Sequence, residues 1–428
     1  MKMYLEGGIA VRETKYLEFK TEITNTFLKT VSAFANYNGG EIIFGINDEG
    51  TAIGMTNPVQ ACLDIENKIN DSIRPQPVYE LEVNDKDKTV HLKVYEGDSK
   101  PYTYKSKAYR RNDTATIEVD ELEFSRLVLK GRNVNYEQLP ANEQNLTFTV
   151  FGALVKNEIG IEVFNKDILK TLNLYSDKEG YNIAAELLAD KNSFCGIDLA
   201  RFGESISVIL KRETIEHMSL LSELERAIQI YRDFYQYEKI EGIERKKIER
   251  IPEQAFREAL ANGLIHRTWD VKSRIRVMMY GDRIEIISPG GLPTGISDEE
   301  YLKGNVSLLR NPILANVFYR LHIVEILGTG ITRIRESYRD SVVKPAFEVY
   351  ENSINVILPV SDAFELTRDE AEVYKELGIT VSKSIGEITE RVSFGRSKVA
   401  AILKRLADKH YIIIQGNGRG TKYKRNCM

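Results

Sequence analysis

The sequence predicts an α+β chain of several domains: two mixed α/β regions followed by a small helical module. Three observations predict it. At 428 residues the chain is too long for one ordinary core, since domains run at roughly 100–200 residues. Residues 1–130 and 149–360 each mix strand-like alternation with helix-like periodicity, and a polar tract at 131–148, containing Pro140, reads as a linker between them. Residues 361–428 carry two helix-start signatures and end in strand, turn, strand.

Composition narrows the function classes. A hydrophobic content of 42% and a charged content of 29% are those of an ordinary globular protein. The net charge of -4 excludes a globally basic surface, so any nucleic-acid contact has to be local. Cys62, Cys195 and Cys427 are far apart and form no CxxC pair, which argues against a zinc site and a disulfide framework. The start MKMYLEGG lacks a signal-peptide layout, and no apolar run is long enough for a bilayer. A cytoplasmic protein without a membrane partner is expected.

In the first region, Phe27, Val31 and Phe34 fall at helical spacing, which predicts a helix over 27–36. Asn38-Gly39-Gly40 ends it, and 41–46 reads as a buried strand leading into the turn Asn47-Asp48-Glu49-Gly50. Residues 89–95 alternate like a half-buried strand. Upstream, ETKYLEFK places Glu18 and Lys20 on one face of an extended segment, with Glu13 ahead of them. If the 41–46 strand pairs beside that segment, Glu13, Glu18, Asp48 and Lys20 converge. Such carboxylates suit Mg²⁺ or Mn²⁺, and the lysine suits a developing phosphate charge. Spacing alone also allows solvated surface charges, with Asp48 serving only the turn. Further on, Lys100, Lys105, Lys107, Arg110 and Arg111 form a basic run interleaved with Tyr102, Tyr104 and Tyr109. It reads either as a backbone-tracking face with stacking rings or as a solvated strand.

ETKYLEFK, the stretch Val31 to Asp48, Lys100-Pro101-Tyr102 and Tyr109-Arg110-Arg111 occur in order and together resemble the Schlafen-type domain over about the first 120 residues. The resemblance implies a nucleic-acid-binding α/β domain. In nuclease members of that family, two glutamates and an aspartate form a metal-dependent ribonuclease site. The matching positions are Glu13, Glu18 and Asp48, with Lys20 beside them. A string that commonly reads Val-Asp-Asp is Ile46-Asn47-Asp48 here.

In the second region, 220–237 reads as a charged amphipathic helix, and 274–280, 283–288 and 353–358 as strands. Glu258, Asn262 and His266 lie at i, i+4 and i+8 of a helix candidate over 255–267, so they share one side. A Glu–Asn pair one turn apart suits nucleotide chemistry: the acid positions water, and the amide ligates phosphate-borne Mg²⁺. Gly290 and Gly291, and Gly328 and Gly330, mark loops able to approach a ligand closely. The same residues also fit plain helix packing. Together with 282–293, Arg310-Asn311-Pro312 and 325–330, they resemble the divergent gyrase and histidine-kinase type ATPase domain of helicase-named bacterial regulators. That resemblance implies ATP binding, with Glu258 and Asn262 at the magnesium end. Where related domains carry an adenine-binding aspartate, this sequence reads Ser288-Pro289-Gly290.

In the third region, Thr367 with Glu370 and Ser384 with Glu387 are capping boxes. Val399, Ile402, Leu403 and Leu406 stripe a third helix after Ser393. Three helices and a hairpin are the winged helix-turn-helix layout. Residues 391–428 hold ten Lys or Arg against one acid, Asp408. Arg396, Lys398, Lys404 and Arg405 are candidates for a groove or its phosphates, and Arg419 and Lys422 for the wing. A protein-contact role is the alternative.

Two functions follow. One is a metal-dependent endoribonuclease, regulated by the ATP-binding-like domain, with a phage-defence role implied by the resemblance only. The other is an ATP-sensing, DNA-binding transcriptional regulator. Both expect RNA or DNA as partner, and a homo-oligomer is expected.

Overall fold

Strand pairing brings the N-terminal motifs side by side. The computed structural model describes residues 3–425, apart from 7–8, 48, 242–243, 294, 305–307, 326–327, 340, 342, 362–365, 379–380, 410 and 417. They divide into two units, Met1–Asn135 and Tyr136–Met428. In the first, Leu17–Lys20 runs parallel to Gly40–Phe44, with Glu18 opposite Ile42 and Lys20 opposite Phe44. Thr89–Val94 and then Tyr79–Asn84 complete a four-stranded sheet. The helices Phe27–Asn36 and Pro58–Ser72 cover one face, and Phe27, Val31 and Phe34 pack with Ile42, Phe44, Val90 and Leu92. Each of these large apolar side chains contributes roughly 1.5–3 kcal/mol by leaving water. Asn57 caps the second helix through the Gln60 N–H, with proline at its first turn. After the first helix, Gly39 takes φ +71°, and a Cβ there would meet the Val94 carbonyl at 2.9 Å. That glycine serves the turn rather than a ligand. The hairpin Tyr109–Asn112 with Ala115–Glu118 meets the first helix through Thr30 and Thr116, whose hydroxyls are 2.9 Å apart.

The second unit is built on a six-stranded sheet. Its order is Ile209–Ile215, Ile197–Phe202, Ile275–Met279, Arg283–Pro289, Ser353–Pro359, Ala346–Tyr350. The second and third strands run parallel, and the other neighbours are antiparallel. The helices Leu220–Tyr235 and Glu253–His266 bury Tyr231, Phe256, Leu260 and Leu264 with Leu199, Val277 and Ile286. Tyr231 stacks on Phe256 at 4.6 Å. The helix expected to reach residue 237 stops at Tyr235, because Gln236–Glu241 pairs with Glu244–Glu249 as a hairpin. The tract expected as a linker enters this unit at Tyr136. Glu137 is fully buried, and its carboxylate accepts the Ile313 and Leu314 N–H groups at 2.6 and 3.0 Å. Those donors open the Pro312–Arg320 helix, where negative charge is favoured.

One buried acid sets a pH dependence. Glu223 is 1% exposed, and its Oε2 has no hydrogen-bond partner among the described residues. Burial pushes its pKa up to about 8, against the opposing pull of Arg267. The unfolded chain ionises it near 4.3. Between those values the folded state holds the extra proton, so stability falls as pH rises. The slope is at most about 1.4 kcal/mol per pH unit, and the loss is complete above the folded value. Glu223→Gln, isosteric with the protonated acid, is expected to flatten this slope. Urea midpoints measured about one pH unit either side of 6.5 check it, and parallel slopes for the two proteins would refute it.

At the C-terminal end, both capping boxes form, opening Arg368–Lys375 and Ile385–Thr389. A third helix, Arg396–Asp408, buries Val399, Ile402, Leu403 and Leu406 against Val373, Tyr374 and Ile388. Lys383–Ser384, Lys422–Arg425 and Ile412–Gln415 form one small antiparallel sheet. Among the described residues, no helix is long and apolar enough to cross a membrane.

Candidate nucleotide and nucleic-acid sites

In the first unit the fold pairs Glu18 with Lys20, sets Glu13 on the Phe19 N–H next along the chain, and adds a residue the sequence placed elsewhere. Glu18 is 6% exposed. Its Oε1 pairs with Lys20 Nζ at 2.5 Å. Its Oε2 accepts from Arg111 at 2.5 Å and from the Thr30 hydroxyl at 2.7 Å. Arg111 also donates to the Thr116 hydroxyl and the Thr14 carbonyl at 2.9 and 3.1 Å. Glu13 accepts the Phe19 N–H at 2.8 Å. Asp48 lies outside the described residues. Among the described residues, no three His, Cys, Asp or Glu side chains group as metal ligands. Both Glu18 oxygens already face cations, so the described part of the site does not fit Mg²⁺ or Mn²⁺: an ion ligated by Glu18 would have to displace Lys20 and Arg111.

The basic run is divided: Lys100 and Arg111 are buried, whereas Lys105, Lys107 and Arg110 stay at the surface. Lys107 pairs with Glu118 at 2.7 Å and Arg110 with Glu123 at 3.3 Å. Lys100 is buried against Glu96. Lys105 is exposed, over the Tyr104 ring. The expectation that Tyr102, Tyr104 and Tyr109 offer stacking surfaces is corrected: all three are buried, at 3, 6 and 6% exposure. Arg111 shares a strand face with the buried Tyr109, so once that ring is placed in the core the period of two carries Arg111 inward with it.

In the second unit the expected residues, Glu258 apart, line one cleft, and Glu258 is buried behind Asn262. Asn262, Gly290, Gly291, Gly328 and Gly330 all line it. It opens to solvent on one side. Its floor is Ile286, Ser288, Ile354 and Val356, and its roof is the Glu253–His266 helix. The Asn262 amide donates to Glu258 at 3.2 Å. Burial raises the Glu258 pKa, opposed by Asn262 and Arg333. A Cβ on Gly330 would lie 2.5 Å from Asn262 Nδ2 and 2.8 Å from Glu258 Oε1. The backbone opening the Gly330–Ser337 helix therefore lies hard against the acid–amide pair. Helix-opening N–H groups beside a carboxylate and an amide fit the phosphate and Mg²⁺ end of a nucleotide.

Sequence reasoning missed the clamp that shapes this cleft. Arg310 donates to the His266 carbonyl, the Thr268 hydroxyl and the Gly291 carbonyl at 2.9, 2.8 and 2.7 Å. Asn311 donates to the Ile265 and Arg267 carbonyls at 2.8 and 3.0 Å. The string Arg310-Asn311-Pro312 signalled a motif without naming these partners.

In the C-terminal module, Lys398 pairs with Asp369 at 2.6 Å, and Arg405 with the buried Glu370 at 3.0 Å. Arg396, Lys404 and Lys422 are exposed. The side chain of Arg419 lies outside the described residues.

A mixed sheet roofed by a helix bearing Glu258 and Asn262, in a chain that opens on a separate α/β unit, defines an ATPase-like protein with an appended domain. The family matches are more particular. Residues 13–120 match the family described as "Schlafen, AlbA_2", and residues 272–358 the one described as "Putative ATP-dependent DNA helicase recG C-terminal". The chain thus carries a Schlafen, AlbA_2 domain followed by an ATPase-like domain of the recG C-terminal type, a combination that points to nucleic-acid binding. Among solved structures, the DIP2311 protein of Corynebacterium diphtheriae is 18% identical, with 96% of this chain and 92% of that one covered and a TM-score of 0.48. The N-terminal domain of a "Putative ATP-dependent DNA Helicase RecG-related Protein" from Nitrosomonas europaea is 22% identical. That match covers 26% of this chain and 84% of the other, with a TM-score of 0.20. No curated protein matches.

Proposed function

We propose that the chain is a nucleotide-responsive, DNA-binding regulator, in which a C-terminal winged helix holds duplex DNA and the central cleft holds ATP with Mg²⁺. The observation that carries the DNA reading is the outer face of the Arg396–Asp408 helix. Ser397, Ala400 and Ala401 are exposed there between the exposed cations Arg396 and Lys404. Small side chains let such a helix approach the groove floor while flanking cations meet phosphates. The major groove of B-form DNA admits a helix, whereas that of A-form RNA does not. In the cleft, Glu258 and Asn262 would hold the metal-bearing phosphates, and bound Mg²⁺ would neutralise phosphate charge.

Arg396→Ala with Lys404→Ala is expected to weaken duplex binding at least tenfold. Each lost phosphate contact lowers the salt slope of log K by about 0.9. Fluorescence anisotropy over a salt series measures both, and an unchanged slope and affinity would sink the DNA reading.

The nuclease reading, with its phage-defence role, is supported by the family resemblance of Glu13, Glu18 and Lys20 and opposed by the cations on Glu18. Metal-dependent RNA cleavage that Glu13→Ala abolishes would restore it.

A further inference from the structure

Of the Asp, Glu, Lys and Arg residues described, only Glu325 lines the central cleft. A carboxylate is the wrong sign for a polyphosphate, which stays negative after Mg²⁺ binds. The neighbouring helix supplies the missing cation. Arg333 Nη2 lies 3.1 Å from a Glu325 carboxylate oxygen, with the two side chains 36 and 38% exposed. On the Gly330–Ser337 helix, Arg333 stands three positions after Gly330, so the two share a side. Gly330 is the residue pressed against Glu258 and Asn262. The ion pair therefore stands at the acid–amide end of the cleft. The charge balance at Glu258 agrees: burial raises its pKa, Asn262 and Arg333 pull it down, and Glu325 pushes it up.

We propose that Arg333 is the cation that receives the nucleotide's phosphates, and that Glu325 holds it while the cleft is empty and releases it on binding. The inference rests on the nucleotide reading above and adds a charge exchange within that site. A half-exposed ion pair is screened by water and weak, so little is lost when it opens. A guanidinium meets a phosphate through paired, charge-assisted hydrogen bonds, which are stronger. Glu325, left behind, is exposed enough to stay hydrated. The pair thus keeps the empty cleft near neutral and turns it cationic only where a phosphate displaces the carboxylate.

Calorimetry on the full chain with ATP and Mg²⁺ tests this. Arg333→Ala is expected to weaken ATP by about tenfold or more, the loss of hydrogen bonds to a charged group. Arg333→Lys, which keeps the charge and loses the fork, should fall between. Glu325→Gln is expected to tighten ATP, because it frees the arginine and removes the repelling charge. The opposite signs separate this role from a structural ion pair, whose two halves weaken binding alike when removed. Arg257→Ala is the control. That cation also acts on Glu258, but it is exposed and adjacent to Glu258 along the roof helix, so it faces another side. Its loss is expected to leave ATP affinity within about twofold, since solvent screens it. Weaker ATP binding in both Arg333→Ala and Glu325→Gln, no change in either, or an equal loss in Arg257→Ala overturns the inference while leaving nucleotide binding intact. Failure of the wild type to bind ATP overturns the nucleotide reading itself, and this inference with it.

Discussion

Glu18→Ala is expected to cost the N-terminal unit about 3–5 kcal/mol, the usual penalty for removing one partner of a buried ion pair. The substitution strands Arg111, whose side chain is 5% exposed and whose Nε already lacks a partner among the described residues. By contrast, breaking the Lys107–Glu118 pair, with side chains 54 and 49% exposed, is expected to leave stability nearly unchanged, because solvent screens it. Glu18→Gln, which keeps an acceptor for Arg111 or Thr30, should fall between. Hydrogen exchange over residues 27–36 reads the effect directly, because Thr30 of that helix donates to Glu18. Wild-type protection in Glu18→Ala would show that the pair carries no weight. The result also bears on any nuclease assay: activity lost in Glu18→Ala is confounded by unfolding. Glu13→Ala, which removes one hydrogen bond to the Phe19 N–H, is the cleaner probe.

Gly290→Ala is the second large effect, expected at about 2–5 kcal/mol in the second unit from left-handed strain plus overpacking. Gly290 has φ +102°, and a Cβ there would lie 1.9 Å from the Thr268 hydroxyl and 2.4 Å from Arg310 Nη1. Those atoms bond each other, so the methyl group has to push the clamp apart. Gly295→Ala is the control, with φ +95° but nothing within 4 Å, leaving strain alone at about 1 kcal/mol. Trp269, the only tryptophan in the sequence, is buried beside Arg267. Its fluorescence in urea follows this unit. Equal midpoints for the two variants would refute the clash.

What was legible followed from local periodicity. The helix over 27–36 was readable because its apolar positions are contiguous and two glycines close it, and the Glu258–Asn262 pair because one helical turn fixes its geometry. Both C-terminal capping boxes were readable, since each involves residues three apart. What was hidden depends on distant partners. Arg111 reads as one more cation in a basic run until the fold sets it on Glu18, 93 positions away. Arg310 reaches back 44 positions to His266. Glu137 looks like part of a polar connector until the start of a helix 176 residues on covers it. Tyr102, Tyr104 and Tyr109 show the opposite failure: rings spaced among lysines look like a stacking platform, yet core burial claims them first.

The Glu253–His266 helix sets a fixed spacing along one wall of the cleft. Glu258, Asn262 and His266 occupy successive rungs about 6 Å apart, and the end of the helix is bolted through the Ile265, His266 and Arg267 carbonyls. The interval between the Glu258–Asn262 pair and His266 is therefore a property of one helix, not of two parts that slide. The cleft works as a ruler rather than a hand. A ligand that needs both rungs has to match that interval. A new preference then has to be written in the side chains at the rungs, because the distance between them cannot be tuned.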